Sequence, residues 1–154
     1  MKLLLALASL LLALAAAPAP DHAEPYRILQ QANLALDPAL ATSAYASNAK
    51  LIFEYPGRPV ETFQGRDAIR GSYVRTFGQV DPGQPIRIQF RFASPGLTSD
   101  RQDGAYRIDT QAGGRPITAY GRFSVRLVKE QGHWRFAEDR GGPATAADFE
   151  KLPE

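Results

Sequence analysis

The chain has 154 residues, 18 of them basic and 16 acidic, with no cysteine. That length suits a single domain, and a formal charge of +2 is too slight to argue for a nucleic-acid partner. Without cysteine there can be neither a disulfide framework nor a lipoprotein anchor, so a hydrophobic core must hold the fold.

Met1-Lys2 forms a short positive start, and Leu3–Leu14 is an almost unbroken run of Leu and Ala. Small residues follow at Ala15, Ala16 and Ala17. This is the layout of a secretory signal peptide, too short for a stable membrane span. Residues 1–23 are therefore expected to be a signal cut between positions 15 and 23. An exported domain over 24–154 is left, periplasmic or extracellular, with no stable membrane span after cleavage.

In the domain, Ile28, Leu29, Ala32 and Leu36 share one helical face. Asp37-Pro38 is a helix start, with an N-cap carboxylate and proline at the first helical position, and predicts a second helix from Pro38 to about Asn48. Lys50–Tyr55 reads as a short strand closed by Pro56-Gly57, and Arg58–Gln64 as loop or irregular edge. A third helix opens at Gly65, with Asp67 in the first turn, where the helix dipole favours an acid. Ile69, Tyr73 and Phe77 follow at spacing four as one apolar stripe.

The rest alternates with period two. Ile86, Ile88, Phe90 and Phe92 interleave with Arg87, Gln89 and Arg91. Pro95-Gly96 predicts a bulge or bend, and Asp103-Gly104 a turn. Tyr106, Ile108 and Thr110 share a strand face, and Ala112–Pro116 is the next turn. A long hairpin over Gly121–Asp139 then carries the only Trp of the chain. Gly141-Gly142-Pro143 reads as a turn, and Thr145 to Asp148 as a capping box before a short C-terminal helix bearing Phe149 and Leu152. The sum is an α+β fold: a curved antiparallel sheet, cone-shaped, covered on one side by three N-terminal helices, with room for a cavity between the two layers.

Tyr45-Ala46 through Tyr55-Pro56-Gly57, then Gly65–Arg70, then Gly121-Arg122-Phe123 through Trp134-Arg135-Phe136 with Asp139, resemble the nuclear transport factor 2-like superfamily. More narrowly the chain resembles the branch of small polyketide-cyclase-like and ketosteroid-isomerase-like domains. The resemblance implies a cone fold, frequent dimers through the outer sheet face, and a pocket whose contents vary widely. In catalytic members it further implies an Asp or His inside the cone, opposed by a Tyr or an acid.

Tyr45, Tyr73, Phe77, Phe90, Tyr106, Phe123 and Trp134 are expected to converge inside the cone, either as plain core or as the lining of a pocket. Two acids are weighed. Strand parity turns Asp109 away from the face of Tyr106, and Asp139 reads first as an end-of-strand hydrogen-bonding residue. The general base is left unassigned, and no catalytic residue is named. His22 lies beside the expected cleavage region and His133 reads as a turn residue with no second His to help it, so neither a metal cluster nor a Ser-His-Asp triad is expected. With no Gly-rich phosphate loop or HExxH motif either, no metal and no cofactor is expected. Arg87, Arg91, Arg122 and Arg126 mark the opposite sheet face, read as solvated or as a homodimer contact. The functional expectation is binding of a small apolar molecule or a partner protein. The alternative is an isomerase, cyclase or hydrolase that uses a pocket carboxylate and a Tyr.

Overall fold

The computed structural model describes residues 21–94, 97 and 99–154. Most of the expected signal sequence, and the expected bend at Pro95-Gly96, lie outside the described residues. Among the described residues four helices, α1 (Glu24–Ala35), α2 (Pro38–Ser43), α3 (Gly65–Phe77) and α4 (Ala146–Glu150), accompany six strands. The strands are β1 (Tyr45–Phe53), β2 (Glu61–Gln64), β3 (Arg87–Phe92), β4 (Arg101–Ala112), β5 (Arg115–Glu130) and β6 (His133–Pro143). They form one sheet in the order β2-β1-β6-β5-β4-β3.

Three expectations are corrected. The sheet is mixed rather than antiparallel, because β1 runs parallel to β6 while every other neighbour is antiparallel. The helices do not all come first or sit on one side: β1 and β2 intervene before α3, and α4 lies against the outer face of β4. The second helix stops at Ser43 instead of Asn48. Ser43, Ser47 and Asn48 are weak helix formers, and the Ala44 carbonyl accepts from the Phe136 amide at 2.9 Å, so strand pairing with β6 takes over from Tyr45 onward.

Local signals set the remaining elements. Asp37 caps α2 by accepting from the amides of Ala39 and Leu40. Thr145 and Asp148 form the expected capping box of α4. Within residues 58–64, Glu61–Gln64 form the short edge strand β2. Asp103-Gly104 is no turn but lies within β4, where Gly104 pairs with Phe92 and Phe123. A Cβ on Gly104 would fall 2.1 Å from the Arg91 carbonyl oxygen and 2.5 Å from the Phe123 ring, so the missing side chain admits a crossing backbone and an aromatic ring. Gly141-Gly142-Pro143 likewise continues β6 instead of turning.

The core sits between α1, α2, α3 and the concave sheet face, around Tyr26, Leu29, Tyr45, Ile69, Leu127 and Phe136. Tyr26 is its hub. Its ring meets those of Phe90 and Phe136 edge-on at 5.1 and 5.0 Å, and its buried hydroxyl donates to Gln102 at 2.7 Å. Such edge-to-face pairs each add about 0.5–1.5 kcal/mol beyond the area they bury.

Candidate functional site

The inner layer does not close completely. A cavity of about 270 Å³ remains between α1, α3 and the concave sheet face, opening beside the exposed residues Tyr55 and Thr76. Its walls are mostly aromatic and aliphatic, with Phe53, Tyr73, Phe90, Tyr106, Phe123 and Phe136 contributing rings. Among the described residues that line it, Asp139 is the one ionisable as an acid below neutral pH, and no Arg, Lys or His joins it.

A register shift brings Asp139 inside. In β6, Phe136 faces Leu127 and Glu138 faces Arg126, so Ala137 is the extra residue of a bulge. Strict alternation from Phe136 would send Glu138 inward and Asp139 outward. The bulge reverses that parity, and Phe136, Asp139 and Gly141 all line the cavity. Asp139 is thus more than an end-of-strand residue.

Its partners come from two other elements. The Tyr45 hydroxyl, on β1, donates to Asp139 Oδ2 at 2.7 Å. Tyr73, from α3, places its hydroxyl 2.9 Å from that of Tyr45. Asp139 Oδ1 accepts no hydrogen bond from the described residues, and the residue keeps some accessible surface, which faces the cavity. Burial in this apolar wall pushes the Asp139 carboxyl up to about 6, against the pull of the Tyr45 hydrogen bond. Burial likewise pushes the Tyr45, Tyr73 and Tyr106 hydroxyls above the ordinary tyrosine range, and the nearby Asp139 charge adds to it. They remain neutral hydrogen-bonding groups at physiological pH.

Tyr106 closes the cavity from β4. Its ring lies over Gly121, where a Cβ would fall 2.2 Å from the ring and hydroxyl. Its hydroxyl makes no side-chain hydrogen bond among the described residues, so the cavity holds both a free donor and a free carboxylate oxygen.

The other expected residues are placed as follows. Tyr73, Phe90, Tyr106 and Phe123 line the cavity. Tyr45 lies behind the lining, fully buried, and reaches it only through its hydroxyl. Phe77 is core at the end of α3. Trp134 is not in the cavity wall: its ring stacks on His22 at 4.1 Å, with Lys129 over it. Asp109 points outward as its parity predicts. It accepts from Thr118 and Arg107, which hold its carboxyl below the usual range. His133 is in no turn but begins β6, with Nδ1 2.8 Å from Glu24 Oε1. Sequence reasoning did not place Tyr26 or Phe136 in the lining. Tyr26, Leu29 and Asn33 do share one helical face, a signal masked by reading Ile28 and Leu36 as its core positions.

The outer face is uneven. Arg87 and Arg122 are exposed, while Arg91 is nearly covered and does not belong to a free basic surface. Its guanidinium lies 4.5 Å from the Phe149 ring centroid and donates to the Phe149 and Leu152 carbonyls. No helix among the described residues is long and apolar enough to cross a membrane.

No protein-family model matches the chain, and neither does any curated protein. Solved structures do. A protein with a ketosteroid isomerase-like fold from Catenulispora acidiphila, in complex with trimethylamine, is 15% identical, covers 84% of this chain and 94% of its own, and superposes with a TM-score of 0.60. A candidate scytalone dehydratase from Novosphingobium aromaticivorans is 13% identical over 79% of this chain and 80% of its own, at a TM-score of 0.61. A ketosteroid isomerase-like protein from Erwinia carotovora atroseptica is 17% identical over 79% of this chain and 92% of its own, at 0.53. Such identities speak for the fold alone: the chain has the nuclear transport factor 2-like fold, in the form seen in ketosteroid-isomerase-like proteins.

Proposed function

We propose that the protein binds a small, largely apolar molecule in the cone, anchored by one polar group at the Asp139 corner. The observation that supports this most strongly is an aromatic cavity of about 270 Å³ with a single polar corner, a common design of small-molecule sites. The test is a screen of small molecules by thermal shift, with binding located by the aromatic NMR signals of Tyr73 and Tyr106. Molecules that move those signals and raise the melting temperature support the reading. A broad set that moves neither overturns it.

The pair formed by Asp139 and its tyrosines favours a second reading, proton transfer on a small carbonyl substrate as an isomerase or lyase would perform it. A carboxyl with its pKa raised to about 6 is suited to general acid–base work near neutral pH. Oδ1 would take the proton, and the Tyr106 hydroxyl would donate to the developing oxyanion. Wild-type protein should then exchange deuterium beside the carbonyl of a bound ketone, and Asp139→Asn should not. Bound ketones that never exchange would leave a carrier.

In the same proposal the protein acts after export, directed by its Leu/Ala-rich N-terminal run, and pairs as a homodimer through the exposed part of the outer face around Arg87 and Arg122. Size measurement by light scattering tests the pairing, and N-terminal sequencing of secreted protein tests the export.

A further inference from the structure

The chemistry of the Asp139 corner narrows the ligand class, given that the cavity is a ligand site. Asp139 carries the only carboxylate among the lining residues, with Oδ2 committed to Tyr45 and Oδ1 free toward the cavity. Among the described residues no cationic side chain faces it from any packed element. Tyr26 faces it from α1, Tyr45 from β1, Tyr73 from α3 and Tyr106 from β4, all neutral near physiological pH. An ionised carboxylate in such surroundings lacks a counter-charge, a costly arrangement in a low-dielectric interior. The walls around it are rings, whose faces are negative and attract cations.

We propose that the natural ligand is a small organic cation, a protonated tertiary amine or a quaternary ammonium. Its charged nitrogen sits against Asp139 Oδ1, and its carbon substituents pack on the rings of Tyr73, Phe90, Tyr106 and Phe136. A neutral carbonyl ligand fits the ionised corner less well. Oδ1 offers it only an acceptor, so it must rely on Tyr106 or wait for Asp139 to be protonated. An ammonium group instead supplies the missing charge. Asp139 then serves as a counter-ion rather than as a base.

The two kinds of ligand respond oppositely to pH. Binding of a permanent cation strengthens as Asp139 ionises and levels off above its pKa, whereas binding of a neutral acceptor weakens over the same range. The experiment compares choline with 3,3-dimethylbutan-1-ol, its uncharged carbon isostere, by NMR titration of the mature domain, followed at the Tyr73 and Tyr106 ring signals. The expected result is a preference of about tenfold or more for choline at about pH 7.5, falling toward parity at about pH 4.5 and in Asp139→Asn. Equal binding of the two probes at the higher pH overturns the proposal, as does a preference that survives in Asp139→Asn. If the isostere moves the ring signals and choline does not, the cation fails while the cavity reading stands. If neither probe nor any member of the small-molecule screen moves them, both fail.

Discussion

The two faces of the sheet solve the same problem differently. Both collect aromatic rings. On the outer face the ring of Phe149 is 1% exposed, wedged between the Arg91 guanidinium and the Tyr120 ring at 5.8 Å. On the inner face the rings of Tyr26, Phe90, Phe123 and Phe136 also pack edge to face, yet a cavity of about 270 Å³ persists beside them. A cavity of this kind forgoes packing energy, and the ionisable Asp139 in its wall costs more again. Close packing marks a structural contact. An apolar cavity with a carboxyl in its wall marks a place kept for something else.

The largest test of this contrast is on the closed side. Phe149→Ala should remove about 3 kcal/mol of stability, because a fully buried ring leaves a hole that α4 cannot refill. Chemical denaturation measures the loss, and binding in the cone should be unchanged below the transition. If binding is lost along with stability, the two faces are not independent.

Gly121→Ala strikes the open side. The added methyl would meet the Tyr106 ring, so Tyr106 must swing into the cavity, at about 2 kcal/mol in stability. Binding of any cavity ligand should fall, and the Tyr106 ring signals should move. Unchanged Tyr106 signals would show that the strand backbone shifts to take up the methyl and the ring stays in place.

Asp139→Asn should act in the opposite direction. The carboxyl pKa is about 6 in the folded chain and 3.8 as a reference value, so the folded state holds the proton more tightly. The stability Asp139 contributes is therefore fully present below the lower value and is lost as pH rises through about 6. At about pH 7.5 the Asn variant should be more stable than wild type by about 1–2 kcal/mol, with little difference at about pH 3.5. Melting temperatures at the two pH values decide this. A variant that is less stable at both would show that the Tyr45 hydrogen bond outweighs the burial of charge.

The smallest effect is expected at the edge of the closed region. Thr145→Ala removes the side-chain half of the α4 capping box, leaving the Thr145 amide bonded to Asp148, and should cost about 1 kcal/mol. Hydrogen exchange at the Asp148 and Phe149 amides should speed up while the amides of β5 and β6 stay protected.

What the sequence by itself determined was whatever depends on near neighbours. Period-two alternation placed β3, β4 and the β5–β6 hairpin, Asp37 and Thr145 marked two helix starts, and parity turned Asp109 outward. Turn chemistry was less dependable. Asp103-Gly104 and Gly141-Gly142 carry turn residues, but their glycines instead make room inside strands for Phe123 and for the Arg122 guanidinium. Only the tertiary structure decided the site. The end of α2 at Ser43 follows from parallel pairing with β6, and that pairing carries Tyr45 to the carboxylate. The inward turn of Asp139 follows from a single extra residue at Ala137, because a strand has period two and one inserted residue exchanges its faces. No local pattern encodes which residue a partner strand will skip.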